Sequence, residues 1–374
     1  MVKLVLQLLI LPDAGQSKSL LETMRRFNAA ATFAARIGFE AGVFSAPSIQ
    51  KRAYYEIRKG FGLSAQMAVR AIGKAAEFYM RRGRREKTCP TFQPTGAITY
   101  DERIFSFKGV DKVSLWAFPG GRIILPMIYG AYQKQRFDRI KGQADLVYRK
   151  GKFYLYCTVD VPDSAPVEPT DFLGIDLGVT NIASDSDGKT HSGSTVKGIR
   201  YRHRRLRQKL QKKQTRSAKR KLKAISGKEH RFATWVNHNI SKQIVAKAKR
   251  SGRGIAIEDL KGIRERVKAR RKQRVILHSW AFSQLRQFIE YKAALAGVLL
   301  AVVDAAYSSR TCAACGHCEK RNRQQERFRC VSCGHEAHAD INAAVNLWER
   351  GRATVNWPNA ALLESNRHPA AAAS

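Results

Sequence analysis

Three carboxylates stand where water is scarce. Asp176 lies inside the apolar run FLGIDLGV, Glu258 inside GIAIEDL, and Asp340 in HADINAAVNL. An acid at the end of a buried strand or helix is costly unless a cation neutralises it. The patterns around these acids read as a strand, a second strand and the start of a helix, in that order. An RNase H-like sheet brings such elements together, with its first strand central and its fourth parallel beside it. Oxygen donors suit magnesium, and two ions roughly 3.5–4 Å apart can drive phosphodiester hydrolysis. Each acid has a plainer reading of its own: Asp176 as a turn residue, Glu258 as a solvated strand end, and Asp340 as a helix N-cap. The order of all three favours a shared metal site.

Between the second and third acids lies C-x2-C-x14-C-x2-C, formed by Cys312, Cys315, Cys330 and Cys333. Two CxxC knuckles place four thiolates on one tetrahedral zinc and leave no open position, so the ion is structural. Gly316 and Gly334 follow the pairs, as tight knuckles favour. His317, His335 and His338 are weaker ligand candidates, and Cys318 is additional to the pattern. Cys89 and Cys157 read as ordinary thiols. Paired cysteines of this kind fit a reducing compartment, hence the cytoplasm.

Charge narrows the partner. The 374 residues hold 68 Lys and Arg against 30 Asp and Glu, a net charge of +38, which invites a polyanion. No apolar run reaches the ~18 residues of a membrane span, and the longest, from Ala293 to Val303, stops at Asp304. The N-terminal run, broken by Gln7, reads as a buried strand over Leu4–Leu11 and not as a signal peptide. From Lys197 to Arg231 there are 16 basic residues and one acid, Glu229. A solvated helix pairs its charges at i,i+4; this one does not, so it contacts nucleic acid. A second run, Lys261 to Arg274, carries eight basic residues against Glu265. The N-terminal helical region mixes Arg52, Arg58, Lys59, Arg70, Lys74, Arg81, Arg82, Arg84 and Arg85 with Tyr54, Tyr55, Phe61 and Tyr79. Those aromatics suit base stacking or helix core, and both uses stay open.

Residues 17 to 86 carry apolar positions at helical spacing. Residues 97 to 161 switch to short β-rich runs and end in a hairpin turning at Arg149 to Lys152. The segment 160–171, with three prolines and four acids, is the best domain boundary. Beyond it lie two strands with a turn at Gly188, a basic helical stretch over roughly 197–250, a strand at 253–258, a helix near 279–296 and a strand at 298–303.

The segments GIDLGVTNIA, GIAIEDLKGIR, YSSRTCAACG, FRCVSCGHEAHADINAAVNL and LSAQMAVRAI resemble TnpB, the transposon-encoded RNA-guided endonuclease related to type V CRISPR effectors. The resemblance is densest over 172–350 and looser before it. One departure is that His338 and Ala339 stand where many members have Asp-Arg.

The resemblance implies an α/β multidomain fold. A β-barrel wedge domain would span residues 1–16 and 90–165, with a helical recognition insertion at 17–89. A RuvC-like nuclease domain would span 172–307 and 337–357, with a zinc ribbon inserted at 308–336 and a disordered tail at 358–374. It implies RuvC-type catalysis by Asp176, Glu258 and Asp340 on two Mg2+ ions, a structural Zn2+ on the four cysteines, and a guide RNA and target DNA as partners, with no membrane. The same residues also fit a miniature type V CRISPR effector or a non-cleaving RNA-guided DNA-binding regulator.

Overall fold

A computed structural model describes residues 1–82, 89–259 and 282–355. The chain divides into two compact units, Met1–Val161 and Pro162–Ser374. The expected basic run Lys261–Arg274, the cations Arg84 and Arg85, and the tail 358–374 lie outside the described residues.

The first unit begins with β1 (Val2–Ile10). Three helices follow, α1 (Ala14–Glu40), α2 (Ala46–Phe61) and α3 (Ala65–Arg82). Then come β2 (Ile98–Asp101), β3 (Phe105–Lys108), β4 (Lys112–Ala117), β5 (Gly121–Ile128), a single helical turn α4 (Ala131–Lys134), β6 (Ile140–Arg149) and β7 (Lys152–Val161). The seven strands form one antiparallel sheet in the order β2-β6-β7-β1-β5-β4-β3. Its two ends, β2 and β3, are joined by a turn of three residues, so the sheet curls back on itself. The Ile104 amide donates to Asp101 O and the Trp116 amide to Ile104 O, while Tyr100 Oη donates to Trp116 O. The result is a nearly closed barrel, which removes most of the exposed sheet edge.

Alternation along β1 puts Leu6, Leu8 and Ile10 inside, and pairing with β7 runs from Val2↔Val161 to Ile10↔Phe153. Lys150 and Gly151 take positive φ at the β6–β7 turn, where Arg149 pairs with Lys152. Asp13 caps α1 by accepting from the Gln16 amide, and Gln16 Oε1 accepts from the Asp13 amide in return. Small residues on α1 (Ala30, Ala31, Ala34, Ala35) and α3 (Ala68, Ala71, Ala75, Ala76) are fully buried in one core with the barrel interior. Arg70 fastens α3 to β2, its Nε and Nη2 both donating to the Asp101 carboxylate at 3.0 and 2.8 Å.

The second unit is built on a five-stranded sheet ordered β10-β9-β8-β11-β12. Its strands are β8 (Phe172–Asp176), β9 (Asn181–Asp185), β10 (Thr190–Ser192), β11 (Gly254–Glu258) and β12 (Leu300–Val303). β8 is central; β9 runs antiparallel to it, and β11 runs parallel to it with β12 parallel beyond. Strands β8 and β11 are buried almost without interruption, as expected of parallel strands covered on both faces.

Between β10 and β11 come α5 (Ser194–Lys213), α6 (Arg216–Ile225) and α7 (Lys228–Arg250). The single basic helical stretch expected over 197–250 is thus three helices. Gln214 and Gly227 take left-handed φ at the two breaks, and Thr215 restarts the chain by capping the Ala218 amide. Helix α7 and α8 (Phe282–Ala296) cover one face of the sheet. The other face receives α9 (Ala339–Val355), with Leu347 and Trp348 packed on Phe172, Ala256, Ala301 and Val303. A three-stranded antiparallel ribbon, β13 (Arg323–Gln324), β14 (Arg327–Arg329) and β15 (Glu336–His338), runs directly into α9. No helix among the described residues is long and apolar enough to cross a membrane.

Two glycines let α9 lie against the sheet backbone. A Cβ on Gly174 would sit 2.0 Å from Ala344 O and 2.6 Å from the Trp348 amide, and one on Gly351 would sit 2.5 Å from Ala256 Cβ. Gly174→Ala is therefore expected to destabilise the protein by about 3 kcal/mol or more. Urea unfolding of the full chain, with the stability of wild type as the reference, measures it.

Candidate active site and candidate metal centre

In the β8–β11 pair Ile175 stands opposite Ile257, so the next residues, Asp176 and Glu258, end adjacent parallel strands at the same edge of the sheet. Ligands bind beyond the carboxyl ends of strands in open α/β sheets. Asp340 joins them from the first turn of α9. It is not the N-cap that its position in HADI suggested. Its Oδ2 accepts from Asn181 Nδ2 at 3.0 Å, and its Oδ1 pairs with Arg323 Nη2 at 3.0 Å. Glu258 Oε1 accepts the Leu177 amide at 3.1 Å. Both Glu258 and Asp340 are buried, while Asp176 is half-buried.

The electrostatics tie the three together. Burial pushes the Asp176 carboxyl up to about 7, the Asp340 charge adds to the rise, and Arg323 opposes it. Burial likewise raises Glu258 to about 8, with the Asp176 charge adding and the Leu177 amide opposing. Each group is perturbed by a neighbour in the set, so the three carboxyls lie within electrostatic reach of one another; among the described residues only the four cysteines close on a single point.

Two of these neighbours were not singled out by the residue pattern. Asn181 opens β9 five residues after Asp176, and Arg323 comes from the ribbon. Ser184 stands opposite Asp176 in the β8–β9 pair, and its buried hydroxyl has no hydrogen-bond partner among the described residues. An oxygen-rich set, only partly offset by Arg323 and with an unused hydroxyl beside it, is the kind of donor set that a hard divalent cation fits.

The four cysteines converge. The sulfurs of Cys312, Cys315, Cys330 and Cys333 all lie within 4.8 Å of one another, the one such group among the described residues. The two knuckles repeat one design. Gly316 N donates to Cys312 O and Gly334 N to Cys330 O, at 2.9 and 3.0 Å, with both glycines at positive φ. Amides of the second knuckle, Cys333 first, hold the Cys330 thiol below its usual value and so favour its thiolate. Four sulfurs closing on one point fit a zinc ribbon. His317 contacts Glu319, and His338 Nδ1 accepts the Asp340 amide, so neither is needed to complete the set.

The basic surface is real but partly spoken for. Glu229, the one acid of the 197–231 run, pairs with Arg200 and Arg207. The neighbouring cations Arg202, Arg204, Arg205, Lys209, Lys212 and Lys213 stay exposed. In the first unit Tyr79 is core, its hydroxyl donating to Ala35 O, and Tyr54 and Phe61 pack on the same core. Tyr55 is 81% exposed.

Two family models cover most of the second unit: a probable transposase over residues 155–273 and a Cas12f1-like TNB domain over 282–347. The TnpB-like protein of Methanocaldococcus jannaschii is 28% identical over 286 residues, 70% of this chain and 99% of the relative.

The chain is a relative of TnpB.

Other relatives agree. The CRISPR-associated endodeoxyribonuclease Cas12f1 of Sulfoacidibacillus thermotolerans is 32% identical over 53% of this chain and 50% of the relative. The putative RNA-guided DNA endonuclease InsQ of Escherichia coli is 28% identical over 55% of each. The chain thus spans nearly all of the archaeal TnpB-like protein but about half the length of these two. The solved complex of Cas12f1 with guide RNA and target DNA superposes with a TM-score of 0.59 at 17% identity, covering 88% of this chain and 82% of that one. This likeness shows that the TnpB relative shares its fold.

Raised carboxyls fix the sign of a pH effect. A carboxyl whose folded value lies above its unfolded one supports the fold at low pH and loses that support as pH rises towards the folded value. For Asp176 and Glu258 the window runs from about 4, the ordinary carboxyl value, to about 8. With a chelator present at pH 8, Asp176→Asn is expected to melt a few degrees above wild type, on the order of 2 kcal/mol, with the gap narrowing at pH 5. Calorimetric melts at both pH values decide it; a lower melting temperature for the variant at pH 8 would contradict the assigned burial.

Proposed function

We propose that this TnpB relative is an RNA-guided DNA endonuclease of a transposon, cleaving through a RuvC-like site. The observation that carries the reading is the junction of Asp176 and Glu258 on adjacent parallel strand ends with Asp340 at the head of α9. In the same reading the barrel acts as a wedge domain (1–16 and 90–165) and helices α1 to α3 as its recognition insertion (17–89). The nuclease domain comprises 172–307 and 337–357, interrupted by the zinc ribbon at 308–336. Relatives named as RNA-guided or CRISPR-associated endonucleases support both activity and partners. The surplus of cations suits a guide RNA and a target DNA. The free thiols suit a cytoplasmic setting.

Asp176, Glu258 and Asp340 would hold two Mg2+ ions, and Cys312, Cys315, Cys330 and Cys333 one structural Zn2+. Such Mg2+ ions supply activation of water and charge stabilisation at the leaving 3′ oxygen. The residues of the chain supply the rest. The Leu177 amide orients Glu258, and Asn181 orients Asp340. Arg323 presents a guanidinium on the acidic set, where it can hold a phosphate oxygen once a strand enters. The ribbon that carries Arg323 is too small for a core of its own, so its metal supplies much of its folding energy.

Asp176→Ala and Glu258→Ala are each expected to reduce DNA cleavage by at least about 1000-fold while guide-dependent DNA binding persists. Robust cutting by either purified variant refutes the site, and binding without cutting by wild type in Mg2+ identifies a regulator that does not cleave. Cys330→Ser is expected to lower bound zinc, measured by atomic emission on the purified chain, and to abolish cleavage as Arg323 loses its support. Unchanged metal content and unchanged cutting would remove the ribbon from the mechanism.

A further inference from the structure

Helices α5 and α7 border an open cleft of about 410 Å³, lined by Ile199, Arg202, His203, Leu206, Lys228 and Phe232. Its walls are mainly apolar, with a cation at either side. Ion pairs hold the two walls together. Glu229 bridges from α7 to Arg200 at 3.3 Å and Arg207 at 2.9 Å, fastening α5 to α7 along one side of the Ile199–Leu206 wall. Beside it, Trp235 lies three residues after Phe232 on α7, with ring centroids 6.0 Å apart, and is 61% exposed. Tyr201, also on α5, is 48% exposed.

An exposed tryptophan next to an apolar slot, within a field of cations, calls for a partner that is flat, aromatic and anionic at its edge. We propose that this cleft seats an unstacked base of the bound RNA, with Trp235 carrying the adjacent base and Arg202 and Lys228 the flanking phosphates. Every base has a π-face, so such a slot holds single strands without reading their sequence. A duplex keeps its bases stacked, whereas RNA loops and ends splay theirs onto aromatic side chains. The inference rests on the RNA-guided reading above and names the surface that grips the strand.

The test uses the full-length protein and a short single-stranded oligoribonucleotide containing 2-aminopurine, with the same sequence as DNA in a parallel arm. Trp235→Ala removes a solvent-exposed ring, and Ile199→Trp fills the slot; both retain every charge. Each is expected to weaken RNA binding about 10-fold and leave the salt dependence of binding unchanged. Binding to wild type should quench the 2-aminopurine, and Ile199→Trp should abolish the quenching. Equal melting temperatures for wild type and Trp235→Ala confirm that the fold is intact. Wild-type affinity in both variants overturns the cleft assignment even where guided cleavage is normal. Loss confined to the DNA arm overturns the assignment to RNA. Failure of wild type to bind any RNA overturns the guide reading and the cleft with it.

Discussion

Negative charge held at the edge of a buried sheet is the constraint on which the second unit turns. Asp176 and Glu258 cannot move apart, because β8 and β11 are locked in parallel register by pairs such as Ile175↔Ile257. They cannot reach water freely either, since helices cover both faces of the sheet. Burial and mutual repulsion therefore raise both carboxyls. A fold that sought only stability would replace this pair with apolar side chains of similar size. In the proposed reading the pair is kept because its charge holds cations.

The third carboxylate owes its position to a contact far from the chemistry. Helix α9 reaches the site because Gly174 and Gly351 let helix and strand backbones touch. Trp348 Nε1 donates to Asp171 Oδ1 at 2.8 Å, fixing the helix against the start of β8. At the other end the ribbon passes without a linker from β15 into α9, so its three strands and the head of the helix share one frame. Asn342 strengthens that join: its Nδ2 donates to Thr311 O and its Oδ1 accepts the Ala313 amide. The cysteine knuckles, the helix register and the Asp340 carboxylate are thus coupled mechanically. In the proposed reading, this coupling is how a structural zinc centre would bear on cleavage without touching the strand.

What the residue pattern disclosed, and what it hid, divides along contact distance. The β6–β7 hairpin, the strands around Asp176 and Glu258 and the knuckles around Gly316 and Gly334 depend on local periodicity and turn chemistry, and all could be read directly. The breaks at Gln214 and Gly227 were harder. Continuous basic spacing masks a helix end when only one residue turns left-handed, and Gln is rarely the residue that does so. The barrel order places β1 between β7 and β5, partners more than a hundred residues away, and no periodicity encodes that. Arg323 belongs with these: its pairing with Asp340 exists only because the ribbon folds back over the sheet edge. Asn181 offered a faint signal, since a short turn after Asp176 must return a side chain towards the same edge.

The distribution of the remaining acids explains how a chain of net charge +38 can still be selective about phosphate. Several acids outside the site are consumed internally: Asp101 by Arg70, Glu229 by Arg200 and Arg207, and Asp185 and Asp187 by Lys247 and Arg253. The surplus cations are left on the outside, where they attract any polyanion. In the proposed reading the acidic edge takes the opposite sign as its carboxyls ionise, and a phosphodiester approaching it then meets repulsion screened only over a Debye length of about 8 Å. Only a cation at Asp176, Glu258 and Asp340, helped by Arg323, reverses that local field. In the proposed reading, binding and cutting are therefore separable electrostatically: the basic helices retain nucleic acid whether or not divalent ions are present, and the buried acids admit the scissile phosphate only when they are.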